Sequence, residues 1–209
     1  MWKLSSRTLS LSWLAMMMIL PACGSEDEPA SDDEKPSVWV GEVTDSDALV
    51  GVAILGDDVD LFACGGPESI SDLTVWLAGK KPVTRESPLT DGEFSVGFDV
   101  DASALRGDVA NGDVSREFLV RPAEPGTLSG LYTADPAAVD GARLGLIVTQ
   151  VPGESPMGQG ALIRGVGQAR IFEQVNPVFP AQLGDPIFVT LLSQPDTLIP
   201  VSRVVPGRQ

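Results

Sequence analysis

Short apolar runs, interrupted by glycine and proline, are the feature of this sequence that most restricts its fold. The 209 residues include 22 glycines and 17 prolines, and no helical apolar spacing is sustained along the chain. In residues 94–100, large apolar side chains alternate with small or polar ones. Period-two spacing places alternate side chains on one face of a strand. The pattern therefore predicts an all-β fold.

Hairpins are predicted between successive runs. In the run at 48–55, the side chains on both alternating faces are apolar, which is typical of a strand covered on both sides. Asn111-Gly112 favours a type I′ hairpin turn. The resulting antiparallel meander is expected to close into a barrel or a two-layer sandwich. The predicted strands are 39–43, 48–55, 59–64, 73–78, 94–100, 105–109, 114–120, 144–151, 160–164, 168–175 and 187–192.

Proline recurs through the C-terminal part of the sequence. Because proline removes a donor from a β-ladder, long central strands are not expected there. We therefore predict one antiparallel β domain over residues 38–175. Residues 176–209 are predicted to form a proline-rich arm, or an edge strand, packed on that domain.

The N-terminus has the layout of a secretory signal. Lys3 and Arg7 precede the apolar run 9–20, and Leu20-Pro21-Ala22-Cys23 follows. That run is shorter than the about 20 residues needed to span a bilayer. An ordinary cleaved signal, with Cys23 a bystander or a disulfide partner of Cys64, is the alternative interpretation.

Ending at a cysteine, this segment resembles a bacterial lipoprotein signal. The resemblance implies that residues 1–22 are removed and that Cys23 carries acyl chains, palmitate among them. More than one chain is needed for stable membrane anchoring. Gly24, which is not the aspartate associated with inner-membrane retention, implies the outer membrane as the destination.

Acidic residues dominate the segment that follows. Residues 23–37 contain six acids, one lysine and no large apolar side chain, so an extended, disordered tether is expected. Without residues 1–22 the chain has 12 cationic and 29 acidic side chains, a net charge of −17. Such acidity opposes nucleic-acid binding.

Few residues suggest chemistry. The chain has no histidine, so common zinc sites and histidine-assisted nucleophiles are excluded, and no catalytic residue, metal or cofactor is predicted. The acidic stretch 57–60 lacks calcium-loop spacing and is interpreted as a solvated turn. Asp99 with Asp101, and Asp45 with Asp47, are paired carboxylates that leave acid–base catalysis open as an alternative.

Trp39 and Trp76 are the candidate ligand-binding residues. Core packing is the competing interpretation for both, since buried aromatic residues are common in β proteins. Cys64 is interpreted as a small buried side chain in a strand.

A second resemblance covers residues 38–165. The segment Trp39-Val40-Gly41-Glu42-Val43, the apolar strand after it and Ala63-Cys64-Gly65 look like a recurring secreted bacterial β domain. Residues 105–109, Phe118 and Gly130-Leu131-Tyr132 follow in the same order. That domain has no assigned activity, so the resemblance implies no functional residues.

The expected function is accordingly that of a lipid-anchored cell-envelope protein with a non-catalytic binding or structural β domain. Its expected partners are the membrane and an envelope protein or a small apolar ligand. The alternatives are a hydrolase of envelope polymers that uses paired carboxylates, and a lipocalin-like carrier with a hollow barrel.

Overall fold

The alternating apolar runs fold as antiparallel strands. The computed structural model describes residues 35–101, 103–165 and 169–207, and within these ranges it is all-β. Its helical elements include a one-turn helix, α1 (Ile70–Leu73), and a 3₁₀ turn, Pro136–Val139. The strands are β1 (Ser37–Val43), β2 (Leu49–Leu55), β3 (Asp58–Cys64), β4 (Val75–Lys80), β5 (Leu89–Asp91), β6 (Phe94–Val100), β7 (Leu105–Asn111), β8 (Val114–Pro122), β9 (Gly130–Thr133), β10 (Arg143–Thr149), β11 (Met157–Arg164), β12 (Ile171–Val178), β13 (Ile187–Leu191) and β14 (Gln194–Arg203).

The first eight strands form a nearly closed sheet, here called the open barrel. Its strand order is β4-β3-β2-β1-β8-β7-β6-β5, so β4 and β5 are its two ends. No ladder joins these ends in the described residues, but their side chains pack together. A Cβ on Gly79 would lie 2.4 Å from Leu89 Cδ2, so the absence of a side chain at Gly79 makes room for Leu89.

The last six strands form a second sheet, here called the closed barrel. Its order is β10-β11-β12-β13-β14-β9, and β14 pairs with β9 to close it. Residues 176–207 therefore do not form an arm: they supply β13, β14 and the end of β12. The boundary between the two sheets falls between β8 and β9 rather than at residue 175.

Prolines are tolerated in these strands because each lies where a ladder runs on one side. β11 pairs with β12 as far as Val175, so Pro177 lies beyond the end of that ladder and has β13 as its neighbour. Pro200 pairs with β13, whereas β9 reaches β14 at Ser202 and Arg203. Each of these prolines thus has a paired strand on one side only, as prolines in edge strands do.

The β7–β8 hairpin forms where predicted, with a different turn. Asn111 pairs with Val114 and belongs to the ladder, so the two loop residues are Gly112 and Asp113. Gly112 has a φ of +56°, whereas Asp113 has no positive φ. A type I′ turn needs positive φ at both central residues, so the prediction of that turn at Asn111-Gly112 was wrong.

Both barrels are filled with apolar side chains, and a third apolar layer lies between them. Along β2, Val50 and Val52 point into the open barrel while Ala53 points out toward the closed barrel. The prediction that this strand is covered on both sides is confirmed. Along β3, Leu61 points inward and Phe62 outward, against β10.

Several predictions concern residues outside the described ranges. The signal peptide (1–22), Cys23 and the tether as far as residue 34 lie there. Ser37, placed in the tether by the sequence interpretation, is the first residue of β1 and pairs with Ile54. No helix in the described residues is long and apolar enough to cross a membrane.

Candidate functional site

A cleft of about 400 Å³ opens at the junction of the two barrels, and we call it the interbarrel cleft. The open barrel contributes the β5–β6 turn and the end of β7, while the closed barrel contributes the start of β12 and the residue before it. Its volume falls in the range of small-molecule sites. The side chains that define it are Asp91, Glu93, Phe94, Asn111, Arg170 and Phe172.

Arg170 is the central cation of the cleft. Its side chain is 8% exposed and forms an ion pair with Asp91 across the two barrels. The guanidinium carbon lies 5.3 Å from the centre of the Phe94 ring, a cation–π distance. Gly92, with a φ of +65°, makes the tight β5–β6 turn that brings Asp91 to this position. Arg170 is therefore held by one carboxylate and one aromatic face.

Asn111 and Phe172 complete the walls. Asn111 Nδ2 donates to the Asp72 carbonyl oxygen at 3.1 Å, which fixes the amide plane at the end of β7. Phe172 is partly buried and packs against the apolar layer between the barrels. The cleft thus combines an aromatic surface, an amide, carboxylates and a guanidinium.

A buried ionic cluster lies beside the cleft, between β3, β4 and β10. Trp76 Nε1 donates to Asp60 Oδ1 at 2.9 Å, and Arg143 Nη2 lies 3.5 Å from the same oxygen. The Arg143 guanidinium carbon is 4.4 Å from the Trp76 ring centre. Phe62 also stacks on Trp76, with the two ring centres 5.2 Å apart. Asp60 is 2% exposed, so its charge is compensated within the protein.

Burial raises the pKa of Asp60 above its ordinary 3.8, although the Trp76 hydrogen bond and Arg143 act in the opposite direction. The native protein therefore binds this proton more tightly than the unfolded chain does. The resulting stabilisation is complete below about pH 3.8 and is lost as pH rises through the raised native pKa.

We expect Asp60→Asn to reveal this dependence. The difference in melting temperature, wild type minus variant, should fall as the pH rises above about 3.8, because the asparagine does not titrate. Thermal unfolding followed by circular dichroism across this range measures it. A difference that grows with pH would contradict the assigned direction.

Neither candidate tryptophan lines the interbarrel cleft. Trp76 is buried in the ionic cluster just described. Trp39 is partly buried against the open-barrel core, and its Nε1 has no hydrogen-bond partner among the described residues. Ligand binding by either residue stays a prediction.

Three of the four paired carboxylates stabilise turns or form ion pairs. Asp47 accepts hydrogen bonds from Ser69 Oγ and from the Glu68 N–H at 2.9 Å. Asp99 lies 3.5 Å from Arg85 in an ion pair. Asp101, beyond the end of β6, accepts from the N–H groups of residues 103 and 104 at 2.7 and 2.8 Å. These contacts give the acids structural roles.

Cys64 is fully buried at the end of β3, as predicted from the sequence. Burial raises its pKa to about 12, so the thiolate that a nucleophile requires does not form near neutral pH. Of the acids at 57–60, Asp58 pairs with Lys80 at 2.8 Å while Asp60 points into the buried cluster. In the ranges that the structure describes, no three histidine, cysteine or acidic side chains are grouped to hold a metal ion.

Fold and site together define an all-β protein of two joined barrels with a mixed polar and aromatic cleft at their junction. No protein-family model matches this chain, and no curated protein sequence matches it.

No motif in the sequence singles out Arg170 or Phe172. Asp91-Gly92 is a turn signal and Phe94 starts an alternating strand, so the local structure on the open-barrel side of the cleft was predictable. Arg170 and Phe172 meet these residues only because the closed barrel packs there, and that contact joins positions 79 residues apart.

Proposed function

We propose that this chain is a lipid-anchored protein of the cell envelope that binds a partner non-catalytically in the interbarrel cleft. The observation that carries the proposal is the cleft itself, in which the buried Arg170 guanidinium, the Asp91 carboxylate and the Phe172 ring converge. Convergent polar groups beside aromatic side chains are typical of binding sites. Cys23 and the acidic segment after it supply the proposed anchor and spacer.

Two observations favour binding at a surface cleft over the alternatives. The interiors of both barrels hold packed side chains such as Leu61 and Leu146, which favours a surface site over a carrier cavity. Asp47, Asp99 and Asp101 are engaged in turns or ion pairs, which favours a structural role for these acids over a catalytic one.

We expect Cys23→Ala to move the protein from the membrane fraction to the soluble extracytoplasmic fraction. Without the Cys23 sulfur there is no acceptor for the acyl chains that hold the chain to the bilayer. Immunoblotting of cell fractions measures the shift, and Cys64→Ala, at a buried position, serves as the matched cysteine control. Unchanged membrane association of the Cys23 variant would refute the anchor.

The binding role is tested by co-sedimentation with purified, protein-free envelope polymer of the host. The wild-type protein should pellet with the polymer and release no soluble fragments from it. Phe172→Ala should abolish pelleting, whereas Phe188→Ala, a partly buried ring on the outer face of the closed barrel, should retain it. Release of soluble fragments would favour the hydrolase alternative.

A further inference from the structure

We infer that the interbarrel cleft recognises a neutral polyhydroxylated ligand, that is, an uncharged saccharide. This inference rests on the proposed binding function and specifies its ligand class. It follows from the mixture of hydrogen-bonding groups in the cleft, from its aromatic surface and from the way its charges are already paired.

The hydrogen-bonding groups of the cleft suit hydroxyls. Asp91 is 48% exposed and keeps acceptor capacity beside its ion pair, because an ionised carboxylate has two oxygens. Asn111 carries both an amide oxygen and an NH₂ group, and Ser71 lies on the same rim. A hydroxyl both donates and accepts, so it can use carboxylate, amide and hydroxyl partners at once.

The aromatic surface suits the less polar faces of a sugar ring. Phe172 is partly exposed at the cleft, whereas the face of Phe94 is covered by Arg170 at 5.3 Å. The C–H groups of a pyranose ring can therefore pack on Phe172 while its hydroxyls reach Asp91 and Asn111. Stacking of this kind adds apolar burial to a set of polar contacts that fix orientation.

The charges of the cleft disfavour an ionic ligand. A cationic ligand would find the Phe94 face occupied by Arg170, and would find Asp91 already paired with that same arginine and within the field of Arg143. An anionic ligand would meet the carboxylates of Asp91 and Glu93 at the rim of a strongly acidic protein. An uncharged ligand avoids both the competition with Arg170 and the repulsion by the carboxylates.

The test is a titration of the full chain, solubilised in a detergent without sugar groups, with neutral trisaccharides of glucose, galactose and N-acetylglucosamine. At least one should bind in isothermal calorimetry. Phe172→Ala and Asp91→Asn should each weaken that binding about tenfold or more, the effect expected for loss of a stacked ring or a charged hydrogen-bond partner. Phe188→Ala and Asp58→Asn are the matched controls and should bind as the wild type does.

Four outcomes overturn the inference. One is the absence of saccharide binding while co-sedimentation with envelope polymer still depends on Phe172; the proposed binding function then stands. Another is tighter binding of spermidine or of a uronic-acid trisaccharide, which would assign an ionic ligand. The third is saccharide binding that both cleft variants retain. The fourth is the absence of both saccharide binding and Phe172-dependent co-sedimentation, which overturns the proposed function as well. Melting temperatures of all variants establish that each is folded.

Discussion

Replacing Phe62 with alanine is expected to lower the free energy of unfolding by about 3–5 kcal/mol, the range for truncating a fully buried phenylalanine. The Phe62 side chain lies on the outer face of β3 with no exposed surface, between the two barrels. Its ring occupies the space over Gly145 of β10, where a Cβ would come within 2.5 Å of it, and it stacks on Trp76. The truncation therefore leaves a cavity in the layer that joins the barrels.

Urea unfolding followed by tryptophan fluorescence measures this loss, since Trp76 reports directly on the layer. Phe188→Ala, which truncates a partly buried ring on the outer face of the closed barrel, is the control and should cost much less. Phe62→Leu, which keeps an apolar side chain of intermediate size, should fall between the two. A loss below about 1 kcal/mol for Phe62→Ala would contradict the view that this layer is tightly packed.

Ending the chain after Ser193 is expected to prevent the closed barrel from forming. The truncation removes β14, which pairs with four of the five residues of β13 and with β9 at the closing seam. It also removes Ile199 and Val201, which are buried inside that barrel. Two strand edges and part of the barrel core would then be exposed to solvent.

Limited proteolysis and hydrogen exchange of the truncated chain measure this effect. We expect rapid cleavage and loss of amide protection throughout β9–β13, while a control chain that ends after Gly207 keeps the protection of the full-length protein. Wild-type protection and melting temperature after truncation at Ser193 would mean that the C-terminal segment is an arm after all.

Strands with a local signal were predictable. In β6, Phe94 and Phe98 alternate with small residues, and both rings are buried on the core face. β2 is apolar on both faces because one face fills the open barrel and the other meets the closed barrel. The all-β class follows from such patterns, since the period-two alternation of a strand is present in consecutive residues of the sequence.

Features that depend on strand partners were not predictable in the same way. Pro177 and Pro200 argued against central strands, yet each falls where its strand has one neighbour, and the local sequence does not encode where an adjacent ladder ends. The same holds for Asn111, whose pairing with Val114 is set by the register of the whole hairpin. The division into two barrels likewise depends on where pairing stops, after β8.

The sequence by itself determined the strand-forming character of the chain, the positions of most turns and its acidity, because these follow from side-chain alternation, backbone restriction and counted charge. Only the tertiary structure decided that two barrels share an apolar layer and that Arg170 reaches Asp91 across their junction. It also decided that Asp60, in an acidic stretch typical of a solvated turn, is buried against Trp76 and Arg143. Contacts between distant strands arise from the packing of complete sheets, and no local pattern specifies them.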